Sequence, residues 1–414
     1  MSHCGQTASP AYRIPVADRL YDLGFLLVEA FAAMEVTAVI VANARIAEGL
    51  GLRQELSSTI ITSYLVPLFA AMVATLALSG LVRRAVPPVP LFLCGLGVFA
   101  GGNLLCFAAR GPLMFFGGRI VTGIGGALSF AGQLWTLSDY QRQRMTKTLV
   151  WGEVGAAVGV IAGPLVGALF AQGSGDAWRG FFLLNAFLGI TTAVFAFLGL
   201  RRRAPWRGDE VRASLSADEG RSLTRAMMGW QVAVSILIVG AEYLFSDYLQ
   251  EKAGKSPMFV GGMTVLASVG AVLGSVWAAR RDERLEALPP FSTGGLLVAL
   301  GALAVCLSMR AFLLVAAPIF FAGICMGVAS VSIYASIVRA SPQSRFLPRS
   351  ILYLLGMQCG NALGVQAVGL AEMLRLGVLG TAGLLSALPL GIACAIMVAG
   401  AQRSRAPCAA AGGT

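Results

Sequence analysis

Residues 23–43, LGFLLVEAFAAMEVTAVIVAN, form an apolar run long enough to cross a bilayer as a helix, yet they hold Glu29 and Glu35 well inside it. At 1.5 Å per residue, about 20 apolar residues span the hydrocarbon core. A carboxylate placed there costs roughly 2.5–3.5 kcal/mol on insertion scales, so two of them call for a cavity, a counter-charge or protons to carry. The run reads as a spanning helix marked for transport. Asp18, Arg19 and Asp22 precede it and no small-residue cleavage site follows, so a retained helix is expected rather than a secretory signal.

The remainder of the chain fits the same solvent. Of 414 residues, 57% are hydrophobic and 12% charged, where a soluble protein has about 25% charged. Breaking the apolar runs at charged or turn-forming clusters gives helices near 23–43, 57–82, 91–109, 113–137, 148–171, 180–200, 227–248, 257–279, 291–309, 311–338, 350–373 and 376–400. The expectation is an all-α membrane protein with twelve transmembrane helices in two six-helix bundles. Residues 1–22 form an N-terminal segment, 23–200 the first bundle, 201–226 a charged central loop, 227–400 the second bundle and 401–414 a tail. A binding site between two such repeats is the arrangement common to transporters.

Charge gives the orientation. Of 31 Lys and Arg residues, 22 lie in the two termini and the loops after helices 2, 4, 6, 8 and 10, eight lie on the opposite side, and Arg119 lies inside helix 4. This bias places both termini and the central loop in the cytoplasm. The net charge of +11 is then mostly topological and requires no nucleic-acid partner. The eight cysteines stand singly, without metal-ligand or redox spacing, and the one histidine is His3, so no metal site is expected. No phosphate loop or dinucleotide fingerprint is present, no cofactor is implied, and the chain does not read as an enzyme. The energy for transport falls to an ion gradient or to the substrate's own gradient.

Arg119 is the only charge between Arg110 and Asp139 and needs an acid, water or substrate beside it. Its candidate partners are Glu35 and Glu29. A glutamate holding a proton in apolar surroundings regains its charge when Arg119 or water comes near, which is a physical route to proton coupling; a fixed structural ion pair is the other reading. Six residues at 100° each set Glu29 and Glu35 about 120° apart around the helix and about 9 Å apart along it, so they do not share a role. Glu35, near mid-membrane, is expected to be the main protonation residue and Glu29 an inner relay. Substrate-cavity candidates are Glu153 at the cytoplasmic end of helix 5, Glu242 and Tyr243 in helix 7, and Gln358 with Asn361 on one face of helix 11. Asp247 reads as an interface anchor, and Trp135, Trp151, Trp178, Trp230 and Trp277 as membrane-interface residues. Pro67 and Pro318 read as kinks inside helices 2 and 10.

Helix 5 carries Gly155, Gly159, Gly163 and Gly167 at four-residue intervals, with Pro164 beside the third. Such a stripe brings a neighbouring backbone close and suits a seal or hinge. With Pro164 it resembles the antiporter motif of the major facilitator superfamily. RIVTGIGGA, residues 119–127, resembles that family's helix 4 motif, whose arginine is associated with proton transfer. MEVTAVIVANARIAEGLG, residues 34–51, is similar to the helix 1 signature of its drug/proton antiporter branches, with Glu35 where an aspartate is usual. GLVRR, residues 80–84, keeps the glycine and basic residues of the family's loop between helices 2 and 3 but lacks its aspartate, which marks a divergent subfamily.

The resemblance implies a monomeric proton-coupled secondary transporter of a small molecule in a bacterial inner membrane, working by alternating access. Export of an amphipathic or drug-like molecule is the first reading. Import of a siderophore or other small metabolite, proton-coupled or facilitative, is the second. Its partners are the substrate, protons and membrane lipids.

Overall fold

The computed structural model describes residues 16–53, 56–78, 86–138, 142–173, 175–200, 217–339 and 343–410, with some side chains near these breaks left out. The GLVRR loop, most of the central loop and the side chain of Glu153 lie outside the described residues. Among the described residues there are twelve α-helices: α1 (Val16–Gly49), α2 (Ser58–Ala77), α3 (Pro88–Ala108), α4 (Pro112–Ser138), α5 (Arg142–Gln172), α6 (Arg179–Leu200), α7 (Ala217–Asp247), α8 (Pro257–Ala279), α9 (Leu288–Ser308), α10 (Ala316–Arg339), α11 (Gln343–Met373) and α12 (Val378–Ala410). All twelve are long and apolar enough to cross a membrane. In lipid a helix satisfies its own backbone groups, which is why these apolar runs are helical throughout.

Helices α1, α5, α7 and α11 begin six to ten residues before their apolar runs, in polar sequence. Residues 217–226, assigned by sequence to the central loop, are the first turns of α7. At its other end α7 passes into a short π-helical turn, Tyr248–Lys252. Pro318 is not an interior kink, because α10 starts at Ala316 and a proline in the first turn removes no helical hydrogen bond. Pro67 does lie inside α2, and Pro348 lies inside α11.

The helices α1–α6 pack chiefly on one another, as do α7–α12, and the two sets meet mainly through α5 with α8 and α2 with α11. We call the end at which α1, α3, α5, α7, α9 and α11 finish the distal end. There α1 turns out through Gly51 (φ +63°), while α9 and α11 end on arginines in left-handed geometry, Arg310 and Arg375. Backbone bonds from Leu52 to Ala47, Ala311 to Cys306 and Leu376 to Ala371 close these turns, satisfying carbonyls that a helix end leaves open.

Aromatic residues correct another expectation. Trp135 and Trp178 are fully buried and Trp230 nearly so, whereas Trp151 and Trp277 are 48% and 44% exposed. Trp178 sits edge-on to Phe115 and Phe182 and against Gly49, so it is a core residue of the first half, not a membrane-interface anchor.

Candidate functional site

The first half encloses a charged cluster assembled from four helices. Glu35 of α1 is fully buried and accepts hydrogen bonds from Arg119 of α4 and Asn185 of α6. Arg119, also fully buried, donates through Nε to the Ile60 carbonyl of α2 at 3.3 Å. Its guanidinium lies 4.9 Å from the ring centre of Tyr64 and 5.7 Å from that of Phe182. Arg119 Nη2 and Asn185 Oδ1 are buried without a partner.

Local sequence explains how a large cation fits there. A side chain at Gly123 would come to 2.5 Å from the Tyr64 carbonyl of α2, and side chains at Gly125 and Gly132 would strike Phe99 and Phe92 of α3. Glycines on both flanks thus let α4 wedge between α2 and α3, and the space gained is filled by Arg119. Sequence reasoning passes over Asn185, although a lone asparagine within FFLLNAFLG is itself a signal of a buried hydrogen bond.

The structure brings Glu35 and Arg119 together in a closed, packed seam within the first half, not facing an open cavity as expected. Glu29 is separate. It is half-buried and accepts from Gln133 Nε2 of α4 at 3.1 Å.

The α5 stripe lies against the helix that carries both glutamates. Side chains at Gly155, Gly159 and Gly167 would clash with the carbonyls of Leu26, Ala30 and Ala38, and one at Gly163 with Thr37 Oγ1. On another face α5 reaches the second half. The Val160 carbonyl accepts from Ser268 Oγ of α8 at 2.8 Å, and a side chain at Gly261 of α8 would come to 2.7 Å from the Pro164 carbonyl.

The halves are also joined by a polar seam near the distal end. Tyr243 of α7 is fully buried, with its hydroxyl 3.2 Å from Asn43 Nδ2 and 2.8 Å from Ser57 Oγ. Ser246 donates to the Ile40 carbonyl at 3.1 Å, Gln250 to the Val41 carbonyl at 2.9 Å, and Gln366 of α11 to Thr62 Oγ1 at 2.9 Å. Tyr243 is therefore part of a seal between halves, where a cavity wall was expected. Asp247 is buried in side-chain contact with Glu372 of α11, so it is not an interface anchor.

Glu242 is half-buried, and its Oε1 is enclosed without a hydrogen-bond partner. Gln358 and Asn361 are buried and bond to each other along α11 at 3.3 Å. Among the described residues no three His, Cys, Asp or Glu side chains converge as a metal site.

Comparison with known proteins gives a family match to the Major Facilitator Superfamily over residues 25–246. Among curated relatives, the methylenomycin A resistance protein of Bacillus subtilis is 27% identical over 183 residues, which cover 44% of this chain and 37% of the relative. The MFS-type efflux pump elcC of Phaeosphaeria nodorum is 36% identical over 110 residues, 26% of this chain and 19% of the relative. The efflux pump alnA of Emericella nidulans is 30% identical over 115 residues, 26% and 20% of the two chains. The matched segments thus span well under half the length of these relatives.

Among solved structures, a POT family transporter in complex with a thioalcohol-conjugated peptide aligns with TM-score 0.68 at 14% identity, covering 94% of this chain and 96% of that one. A bacterial homologue of the human lysosomal transporter Spinster, inward-facing and occupied, aligns with TM-score 0.66 at 17% identity over 93% and 96%. At such identity the likeness is one of fold, and the fold is that of twelve-helix facilitator transporters.

Proposed function

The chain belongs to the major facilitator superfamily, and from that premise we propose that it is a proton-coupled secondary transporter exporting a small amphipathic or drug-like molecule or metabolite. The observation that carries this reading is the buried cluster of Glu35, Arg119 and Asn185, which keeps one guanidinium nitrogen and one amide oxygen unpartnered inside a lipid-embedded bundle. A purely structural ion pair at such a depth gains nothing from unfilled groups, since each costs about 1–3 kcal/mol. A pair that must take up and give back a proton needs spare partners.

In the proposed cycle a proton on Glu35 neutralises the acid and frees Arg119 to its Ile60 and aromatic contacts. The resulting shift of α1 passes through its close glycine contact to α5, and from Val160 and Pro164 to Ser268 and Gly261 of α8. Residues 23–200 and 227–400 act as the two rocking bodies. Glu29 with Gln133 serves as the inner relay. We take the membrane to be a bacterial inner membrane with both termini on its cytoplasmic side, the orientation the Lys and Arg bias supports, so the polar seam through Tyr243 is the outer gate in its closed state. Efflux and resistance in the names of the relatives support the outward direction. We take the transporter to be a monomer working without a cofactor.

Inverted proteoliposomes with an imposed proton gradient test the proposal, using a panel of lipophilic cations, phenolics and siderophores. Gradient-driven accumulation that disappears in Glu35→Gln is the expected result. Accumulation only in right-side-out vesicles would reverse the direction, and accumulation unaffected by the gradient or by Glu35→Gln would remove the coupling role.

A further inference from the structure

Both glutamates inside the first apolar run have donors: Glu35 has Arg119 and Asn185, and Glu29 has Gln133. Glu242 in the second half has none for its enclosed Oε1. Its position is defined by its neighbours on α7. Ser246, one turn toward the distal end on the same face, donates to the Ile40 carbonyl of α1, and Tyr243 beside it is bonded to Asn43 and Ser57. Glu242 thus stands directly inward of the bonds that seal the two halves, on the α7 face that turns toward the first half.

The same stripe of α7 continues inward at seven- and eleven-residue offsets through Ser235 and Gln231. Gln231 is 2% exposed, donates through Nε2 to Ser235 Oγ at 3.1 Å, and keeps its Oε1 enclosed and unpartnered. The stripe therefore holds two acceptors without donors, Glu242 Oε1 and Gln231 Oε1, while Ser235 between them accepts from Gln231 and packs on Gly360 of α11. A buried acceptor is costly until a donor meets it, and a carboxylate most of all until a positive donor does.

We infer that Glu242 and Gln231 of α7 recognise the cargo and that the cargo carries a protonated amine, whose N–H groups the Glu242 carboxylate accepts. A second donor on the cargo, an amide or hydroxyl, is taken by Gln231 Oε1. This rests on the transport reading only in that cargo passes between the halves; it does not depend on the direction of transport or on proton coupling.

Binding separates the two. Intact protein in nanodiscs would be titrated with a series of dansyl-labelled alkylammonium probes and with the N-acetylated, neutral form of each. At least one amine is expected to bind, at least about tenfold more tightly than its acetylated form, and to lose about tenfold affinity, about 1.4 kcal/mol, in Glu242→Gln. Glu242→Asp is expected to retain the preference for the amine, which excludes a general loss of fold, and Gln231→Leu to weaken amine and acetylated probes alike. Failure of every amine to bind intact protein, equal binding of amine and acetylated forms, or unchanged amine binding in Glu242→Gln would overturn the inference. Proton-driven transport that fails while amine binding survives would instead break the coupling proposal alone.

Discussion

The two halves of the molecule treat buried charge in opposite ways. In the first, Glu35 is held by a cation and an amide from two other helices, with two aromatic faces over the cation. In the second, Glu242 has an unpartnered oxygen, and Asp247 and Glu372 touch each other across α7 and α11. An acid paired with a cation inside the chain lets go of it only when it takes up a proton, whereas a buried oxygen with no partner in the chain has no such contact to release. The first half thus pairs its buried acid within the chain, and the second leaves an oxygen of its own unpaired.

That contrast is broken most directly at Arg119. Arg119→Leu strands the Glu35 carboxylate and is expected to cost about 3–5 kcal/mol, read as loss of monodisperse protein and a lowered Tm in detergent. Adding Glu35→Gln to the same chain should restore most of the loss, whereas recovery of nothing would mean that packing of the arginine, not its charge, holds the seam. Next in size is Gly159→Val, which forces α5 away from the Ala30 carbonyl and should cost about 1–3 kcal/mol; Gly97→Ala, where nothing lies within 4 Å, should leave the same thermal melt unmoved.

Tyr243→Phe removes the hydroxyl bonded to Asn43 and Ser57 and is expected to weaken the distal seal by about 1 kcal/mol. In a cysteine-free background a thiol probe at Thr62→Cys would then react about fivefold faster, and an unchanged rate would deny Tyr243 a part in closure. Smallest of all, Glu242→Gln should change stability by no more than about 0.5 kcal/mol, because it removes no internal partner. A loss comparable to that of Arg119→Leu would show that the second half holds its charge as the first does.

Much of this architecture was legible in the sequence because lipid imposes a simple rule on length and hydropathy. Twelve apolar runs became twelve helices, and Glu35 and Arg119 were visible as charges that needed explaining. What escaped was neutral and local. Asn185, Gln133, Asn43 and Ser57 complete the cluster and the seam, but a single amide or hydroxyl in a helix looks the same in sequence whether or not it crosses to another helix. The depth of Trp135 and Trp178 followed from aromatic packing that residue type does not encode. Helix starts were misjudged for a physical reason as well: hydropathy marks where the apolar run begins, while α7 and α11 keep helical turns through several polar residues before it.

The long sequence separation within the charged cluster has a consequence for synthesis. Arg119 follows Glu35 by 84 residues and Asn185 follows it by 150. At 5–20 residues per second, roughly 4–17 s pass before the guanidinium has been made, and about 8–30 s before the amide has. During that interval the nascent first helix carries an acid with no partner of its own, so α1 enters the membrane as a provisional segment. Its contacts through Glu35 can be completed only after the fourth and sixth helices have been made.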